Sequence, residues 1–179
     1  RVSQLKGIEP LVRAFAQLAA QHPQARLVIA GPGDGEEVRL TKLIEELHLS
    51  ARITLVGAVP GRECWQALME ADLFALTSFT EGLPNAVLEA LATGLPVLIT
   101  DACNLPEVAE YDAGRVVAPT VEAITPALHE MLSDTELRKS MSQNARRLIA
   151  ERFEISRVVD QLEALYFGLA NNHQQSLTP

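Results

Sequence analysis

Two glutamates, Glu81 and Glu89, stand eight positions apart in the stretch DLFALTSFTEGLPNAVLEALATGLPVLITD, residues 72–101. The stretch reads as a strand, a turn, a short helix and a second strand, so Glu81 precedes a helix N-terminus and Glu89 lies inside the helix. The first N–H groups of a helix have no intrahelical partner and the aligned peptide dipoles favour negative charge, which makes that end attractive to phosphate. Carboxylates beside such a pocket repel phosphate and are suited instead to accept hydrogen bonds from hydroxyls. Phosphate in the middle with hydroxyls at both ends describes a nucleotide sugar. The spacing alone carries little weight, since 23 acidic residues in 179 give about three such pairs by chance. On that ground Glu89 is equally a solvated helix glutamate and Glu81 a loop residue. The strand–turn–helix context is what favours a site.

The residues around the pair define the helix that positions them. Pro84 suits the first helical position, where a missing N–H costs nothing, and the free N–H groups then belong to Asn85, Ala86 and Val87. Gly94 suits the C-terminal cap, where left-handed backbone is cheap for glycine. Asn85 and Glu89 share one helix face, and Glu89 lies about 7 Å along the axis from Pro84. Arg1 and Lys6 precede the next candidate helix start, near Glu9 or Pro10. Read alone they are surface charges; beside a phosphate pocket they could neutralise a diphosphate. No paired aspartates or His/Asp cluster with ligand spacing is visible, so no metal and no cofactor are expected.

Short β-rich runs at Arg26–Ala30, Ile53–Gly57, Asp72–Leu76, Pro96–Thr100 and Arg115–Val117 alternate with helical periods at Pro10–Gln21, Glu36–Leu47, Glu63–Glu70 and Pro84–Thr93, and with a short turn near Pro106–Ala109. The apolar runs are too continuous to alternate, which indicates strands buried on both faces. The expected fold is α/β: a doubly wound, Rossmann-like parallel sheet with helices on both faces. Ligands bind such sheets at the carboxyl ends of the strands, where the turn with Ser78, Glu81 and Pro84 falls. After Pro119 the pattern is helical. Ser133 and Glu136 read as a capping box opening a helix to about Glu151. A C-terminal amphipathic helix follows, with Ile155, Val158, Val159, Leu162, Leu165, Tyr166 and Leu169 on one stripe. That stripe packs either on this domain's own core or on a second domain. The expected organisation is a domain over 1–152, the amphipathic helix over 153–170 and a polar, frayed tail over 171–179.

A chain of 179 residues is one ordinary domain with room for a sizeable core. A net charge of −8 argues against a nucleic-acid face, which needs clustered Lys and Arg. Cys64 and Cys103 have no metal or redox spacing and read as free thiols in a reducing compartment. No apolar run reaches the length of a membrane span, and no signal peptide is visible.

Three stretches together resemble the C-terminal, nucleotide-sugar-binding half of a retaining family 4 glycosyltransferase with GT-B architecture. They are Arg1 and Lys6 followed by Gly7, the run LVIAGPGDG from Leu27 to Gly35, and the pattern S-x-x-EGLPN-x-x-x-EA-x-A-x-G-x-P-V from Ser78 to Val97, followed by Asp101 and Pro106-Glu107. The last is the most specific, and the resemblance runs from Arg1 to about Tyr166. It implies that Arg1 and Lys6 grip the donor's diphosphate. Glu81 would contact the donor sugar's hydroxyls near the reacting carbon, and Glu89 would hold the ribose. Leu83, Asn85 and Ala86 fall where backbone amides approach sugar and phosphate, with Ser78 beside them. Gly57 to Pro60, including Val59, fall near the base-binding edge. The resemblance also implies a strand immediately before Arg1, absent here, that would be central in the sheet next to Leu27–Ala30 and Asp72–Leu76. An N-terminal domain carrying the acceptor site is expected as well, so this chain alone should bind donor without catalysing transfer.

The expected donor is a UDP-sugar first and GDP-mannose second; the acceptor is unreadable. The expected location is cytoplasmic, with peripheral membrane contact through the missing domain as an alternative. Two other functions stay open: a sugar-nucleotide epimerase of the same architecture, distinguished by converting donor without acceptor, and a non-catalytic nucleotide-binding partner subunit. A nicotinamide site is disfavoured, because GPGDGE places Glu36 where the last glycine of G-x-G-x-x-G belongs. Trp65 and the four histidines form no constellation. Cys103 and Asn104 stand in a loop after a strand end and are assigned no role.

Overall fold

The computed structural model describes residues 1–175, and five strands occupy the expected places: β1 (Leu27–Ala30), β2 (Ile53–Gly57), β3 (Phe74–Leu76), β4 (Val97–Thr100) and β5 (Gly114–Val117). Between and around them run α1 (Ile8–Leu18), α2 (Glu36–Glu46), α3 (Gly61–Glu70), α4 (Asn85–Thr93) and α5 (Glu107–Glu110). Three helices close the chain, α6 (Val121–Ser133), α7 (Thr135–Leu148) and α8 (Ile155–Gln175). Every strand pair is parallel: β1 joins β2, and β4 lies between β3 and β5. Among the described residues β1 and β3 each have a strand partner on one edge only. Val2 runs beside the chain just after β1, bridging Gly33 in parallel and donating its N–H to the Pro32 carbonyl at 2.8 Å.

All four residues of β4 are buried, and they alternate between two cores, as a strand's period of two requires. Leu98 enters the cluster built by α1, α2 and α6 with Ile29 and Ile53, whereas Val97 and Ile99 enter the cluster of α4, α5 and α7. Helices therefore cover both faces of β4, which makes the fold doubly wound. The expectation that the strands are buried on both faces fails for β1 and β2. Ile29 and Ile53 are buried, but Val28 is 61% and Val56 45% exposed. No helix covers that face of these strands among the described residues: α3, which contributes no buried residue, packs on α4.

Two helix starts differ from expectation. Ser133 ends α6 and caps nothing; Asp134 is the N-cap of α7, accepting from the Leu137 N–H at 2.9 Å. Asp and Ser cap equally well, so residue type alone does not choose between these two neighbours. α6 is capped by Thr120, whose hydroxyl accepts from Ala123 N. A turn of π-helix, Ile149–Phe153, separates α7 from α8. Ile155, Val159, Leu162, Leu165 and Tyr166 are exposed on α8, so at these positions the apolar stripe does not pack on this domain's core; the Leu169 side chain lies outside the described residues. α8 continues into the expected tail, and residues 176–179 lie outside the described residues.

Candidate active site

The candidate site is built at the carboxyl end of β3, where the chain turns into α4. Pro84 is not the first helical residue as expected but the cap before it, with φ −82° and ψ 81°. Asn85 N–H donates to the Leu83 carbonyl at 3.0 Å across it, which makes Pro84 the centre of an inverse γ-turn. The fixed φ of proline fits that turn as well as it fits a helix start, so sequence alone does not separate the two. The set of free amides changes accordingly. Asn85 N–H is spent on Leu83, and Val87 N–H on the Pro84 carbonyl at 2.8 Å. The backbone N–H groups of Gly82, Leu83 and Ala86 have no partner among the described residues. Gly94 ends α4 in left-handed backbone (φ 82°), as expected.

The first residues are stitched to this turn. A short 3-10 turn, Gln4–Lys6, ends at Gly7 with φ 60° and ψ 30°. Thr77 Oγ1 donates to the Gly7 carbonyl at 2.7 Å, and Phe79 N–H donates to the Leu5 carbonyl at 2.8 Å. A Cβ on Gly7 would lie 1.9 Å from the Thr77 carbonyl oxygen, so only glycine permits this approach. Held between these two bonds, Lys6 reaches across to Glu81, with Nζ 2.6 Å from Oε1. The same oxygen accepts from Ser78 Oγ at 2.6 Å. Oε2 of Glu81 has no partner among the described residues.

A second set of bonds holds Glu81 from the side of β4. Its N–H donates to the Ala102 carbonyl at 3.1 Å, and its carbonyl accepts from Asn104 Nδ2 at 3.0 Å. Asn104 sits in left-handed backbone at φ 51°. Thr100 Oγ1 donates to the Ser78 carbonyl at 2.5 Å. Burial raises the pKa of Glu81, but the hydrogen bonds from Lys6 and Ser78 and the charge of Lys6 outweigh it. The carboxyl is held below its ordinary range and is ionised at neutral pH.

The structure brings Lys6, Ser78 and Glu81 into direct contact. Ser78 is fully buried, with its hydroxyl committed to Glu81. Leu83, Asn85, Ala86 and Glu89 are exposed along the start of α4, and Glu89 makes no hydrogen bond or ion pair among the described residues. Arg1 is exposed and packs its backbone against Gly31. Gly57 and Val59 lie at the carboxyl end of β2, where the Gly57 carbonyl accepts from Gly31 N–H at 2.7 Å. The start of α2 offers no comparable anion site, because its first turn carries Glu36 and Glu37 and the latter accepts from Gly35 N–H. Sequence reasoning missed Thr77, Thr100 and Asn104. For Thr77 and Thr100 the signal was a polar residue at the end of a β-strand, whereas Asn104 stands in the loop after β4; the partners of all three are distant in sequence.

Two open concavities mark the surface, and neither includes the Lys6–Glu81 pair. One of about 650 Å³ lies between α7 and the segment Thr93–Pro96, at the amino end of β4. The other, about 470 Å³, is lined by Ser3, Gln4, Arg13, Arg39, Phe79 and Val121, beside the Lys6 loop.

Parallel strands with helices on both faces of β4 define a Rossmann-like domain, with a carboxylate–ammonium pair beside free amides at the strand ends. The chain belongs to the family of glycosyl transferases group 1, whose model matches residues 1–148, and it has the GT-B Rossmann-like fold of that family. It is 33% identical over 174 residues to the putative colanic acid biosynthesis glycosyltransferase WcaL of Salmonella typhimurium, covering 92% of this chain and 43% of that one. It is 29% identical over 168 residues to the N-acetyl-alpha-D-glucosaminyl L-malate synthase of Bacillus anthracis, again covering 92% and 43%. Among solved structures, sucrose-phosphate synthase from Thermosynechococcus elongatus superposes with a TM-score of 0.80 at 27% identity, covering 95% of this chain and 44% of that one. The chain thus spans less than half the length of these relatives. None of its helices, over the described residues, is long and apolar enough to cross a membrane.

Proposed function

We propose that the whole protein is a retaining glycosyltransferase and that this chain forms its donor-binding half. The donor is a nucleotide diphosphate-sugar, a UDP-sugar before GDP-mannose, and the acceptor is bound by a further N-terminal domain. The observation that carries the reading is the Lys6–Glu81–Ser78 contact set beside the free amides of Gly82, Leu83 and Ala86. In this scheme the diphosphate lies against Lys6, Arg1 and those amides, which stabilise the charge that develops on the leaving phosphate in the transition state. No metal takes part. Glu81 accepts from hydroxyls of the transferred sugar through Oε2, and Glu89, a turn further along α4, accepts from the ribose. Gly57 and Val59 border the base. The free thiols Cys64 and Cys103 fit a cytoplasmic, reducing location.

Two substitutions in the whole protein test the assignment. Lys6→Ala should weaken a nucleoside diphosphate far more than the bare nucleoside, and equal losses would contradict a diphosphate role. Glu81→Ala should depress sugar transfer without a matching loss of nucleotide binding, and comparable losses in both would make Glu81 a binding residue only.

A further inference from the structure

We infer that Glu81 discriminates between the sugar-bearing donor and the sugar-free nucleoside diphosphate, weakening the latter and so favouring its release after transfer. The inference deepens the nucleotide-sugar reading of the site and rests on it. Its basis is the unequal use of the two carboxylate oxygens. Oε1 is taken by Lys6 and Ser78, both at 2.6 Å, whereas Oε2 has no partner among the described residues. The carboxylate is held by Lys6 and Ser78 at Oε1, on a backbone that is itself bonded to Ala102 and to Asn104. It is also poorly hydrated, with its side chain 11% exposed against 30% for Lys6. The negative charge is therefore fixed in place, and it is already drawing on the cation that a diphosphate needs.

The two ligands meet this arrangement differently. In a nucleotide sugar each phosphate carries a single charge, and the sugar hydroxyls can donate to Oε2. A free nucleoside diphosphate ends in a phosphate with a second ionisation near pH 6, so it gains charge at neutral pH. It brings no hydroxyl to Oε2, and it must share Lys6 with a carboxylate. Loss of the sugar thus converts a satisfied carboxylate into a repelling one at the place where the new charge appears.

Glu81→Gln tests this directly, since glutamine keeps a carbonyl acceptor for Ser78 and removes the charge. In the whole protein, binding of UDP, GDP and ADP would be measured by calorimetry for wild type and variant, with the corresponding monophosphates alongside. For whichever diphosphate the wild type binds, the variant should bind about tenfold more tightly at low salt, a gain that shrinks as salt is added. The monophosphate should gain less. Unchanged or weaker diphosphate binding by the variant would overturn the inference while leaving the nucleotide reading intact, and an equal gain for the monophosphate would do the same. Absence of diphosphate binding by both proteins would overturn the nucleotide reading and the inference with it.

Discussion

Gly7→Ala should unfold the joint that carries Lys6. Gly7 adopts φ 60° and ψ 30°, and left-handed backbone costs alanine about 1–2 kcal/mol. The new Cβ would stand 1.9 Å from the Thr77 carbonyl oxygen and 2.8 Å from its carbon. Since real contacts do not fall below 3.0 Å, the loop and the strand end must part by at least about an ångström. That breaks the 2.7 Å bond from Thr77 Oγ1 to Gly7 and leaves a buried hydroxyl unpaired, a further loss of about 1–3 kcal/mol. The total destabilisation is about 2–5 kcal/mol. Gly61 supplies the control: its φ is 56°, but an added Cβ meets nothing within 4 Å, so Gly61→Ala should lose only the backbone contribution. Urea unfolding followed by circular dichroism compares the two, with equal slopes indicating unchanged denatured states. The reasoning is refuted if Gly7→Ala comes within about 0.5 kcal/mol of Gly61→Ala, half the smallest loss expected of the unpaired Thr77 hydroxyl.

Glu89→Ala should weaken nucleotide binding by about 1–3 kcal/mol through loss of charge-assisted hydrogen bonds, without altering the unfolding midpoint, because Glu89 is exposed. An unchanged affinity in calorimetry would remove it from the site. Asn104→Ala deletes the amide that bonds the Glu81 and Ala102 carbonyls, while Asn104→Gly also relieves the left-handed backbone. Both should depress transfer more than nucleotide binding, with the glycine variant the more stable of the two; a glycine variant with full transfer activity would show that the amide does not position Glu81. Glu130, bonded to Arg115 through both oxygens at 2.8 and 2.9 Å, has its pKa lowered chiefly by those hydrogen bonds. Its stabilisation is therefore present above the ordinary carboxylate pKa of 4.5 and disappears as pH falls through the lower folded value. At this exposed site the contribution is under about 1 kcal/mol. Glu130→Gln should flatten that part of the stability profile in acid, and an unaltered profile would exclude the pair as a contributor.

Much of this arrangement was legible from residue types. The VLIT run of β4 announced a strand buried on both faces, and Gly94 announced the end of α4. The EGLPN turn falls between the carboxyl end of β3 and the start of α4, where it was expected. What escaped did so for identifiable reasons. Proline favours an inverse γ-turn and a helix start through the same fixed φ, so the position of Pro84, and with it the identity of the free amides, depends on geometry that composition does not encode. Ser133 and Asp134 are adjacent residues of equal capping ability, so residue type does not say which one stands outside the helix. Val28 and Val56 belong to apolar runs like that of β4, yet whether a strand's second face is covered depends on tertiary packing that the run does not encode. The bonds from Thr77 to Gly7 and from Asn104 to Glu81 join residues 70 and 23 positions apart, beyond the reach of local pattern.

The most direct test of the central claim is a calorimetric titration of the whole protein with UDP, GDP, ADP and NAD, each with and without magnesium. Saturable binding of one nucleoside diphosphate, equal in both conditions, is the predicted result and would name the base of the donor. Binding of NAD alone, or of no nucleoside diphosphate at all, would contradict the claim that the Lys6–Glu81 turn receives a nucleotide sugar.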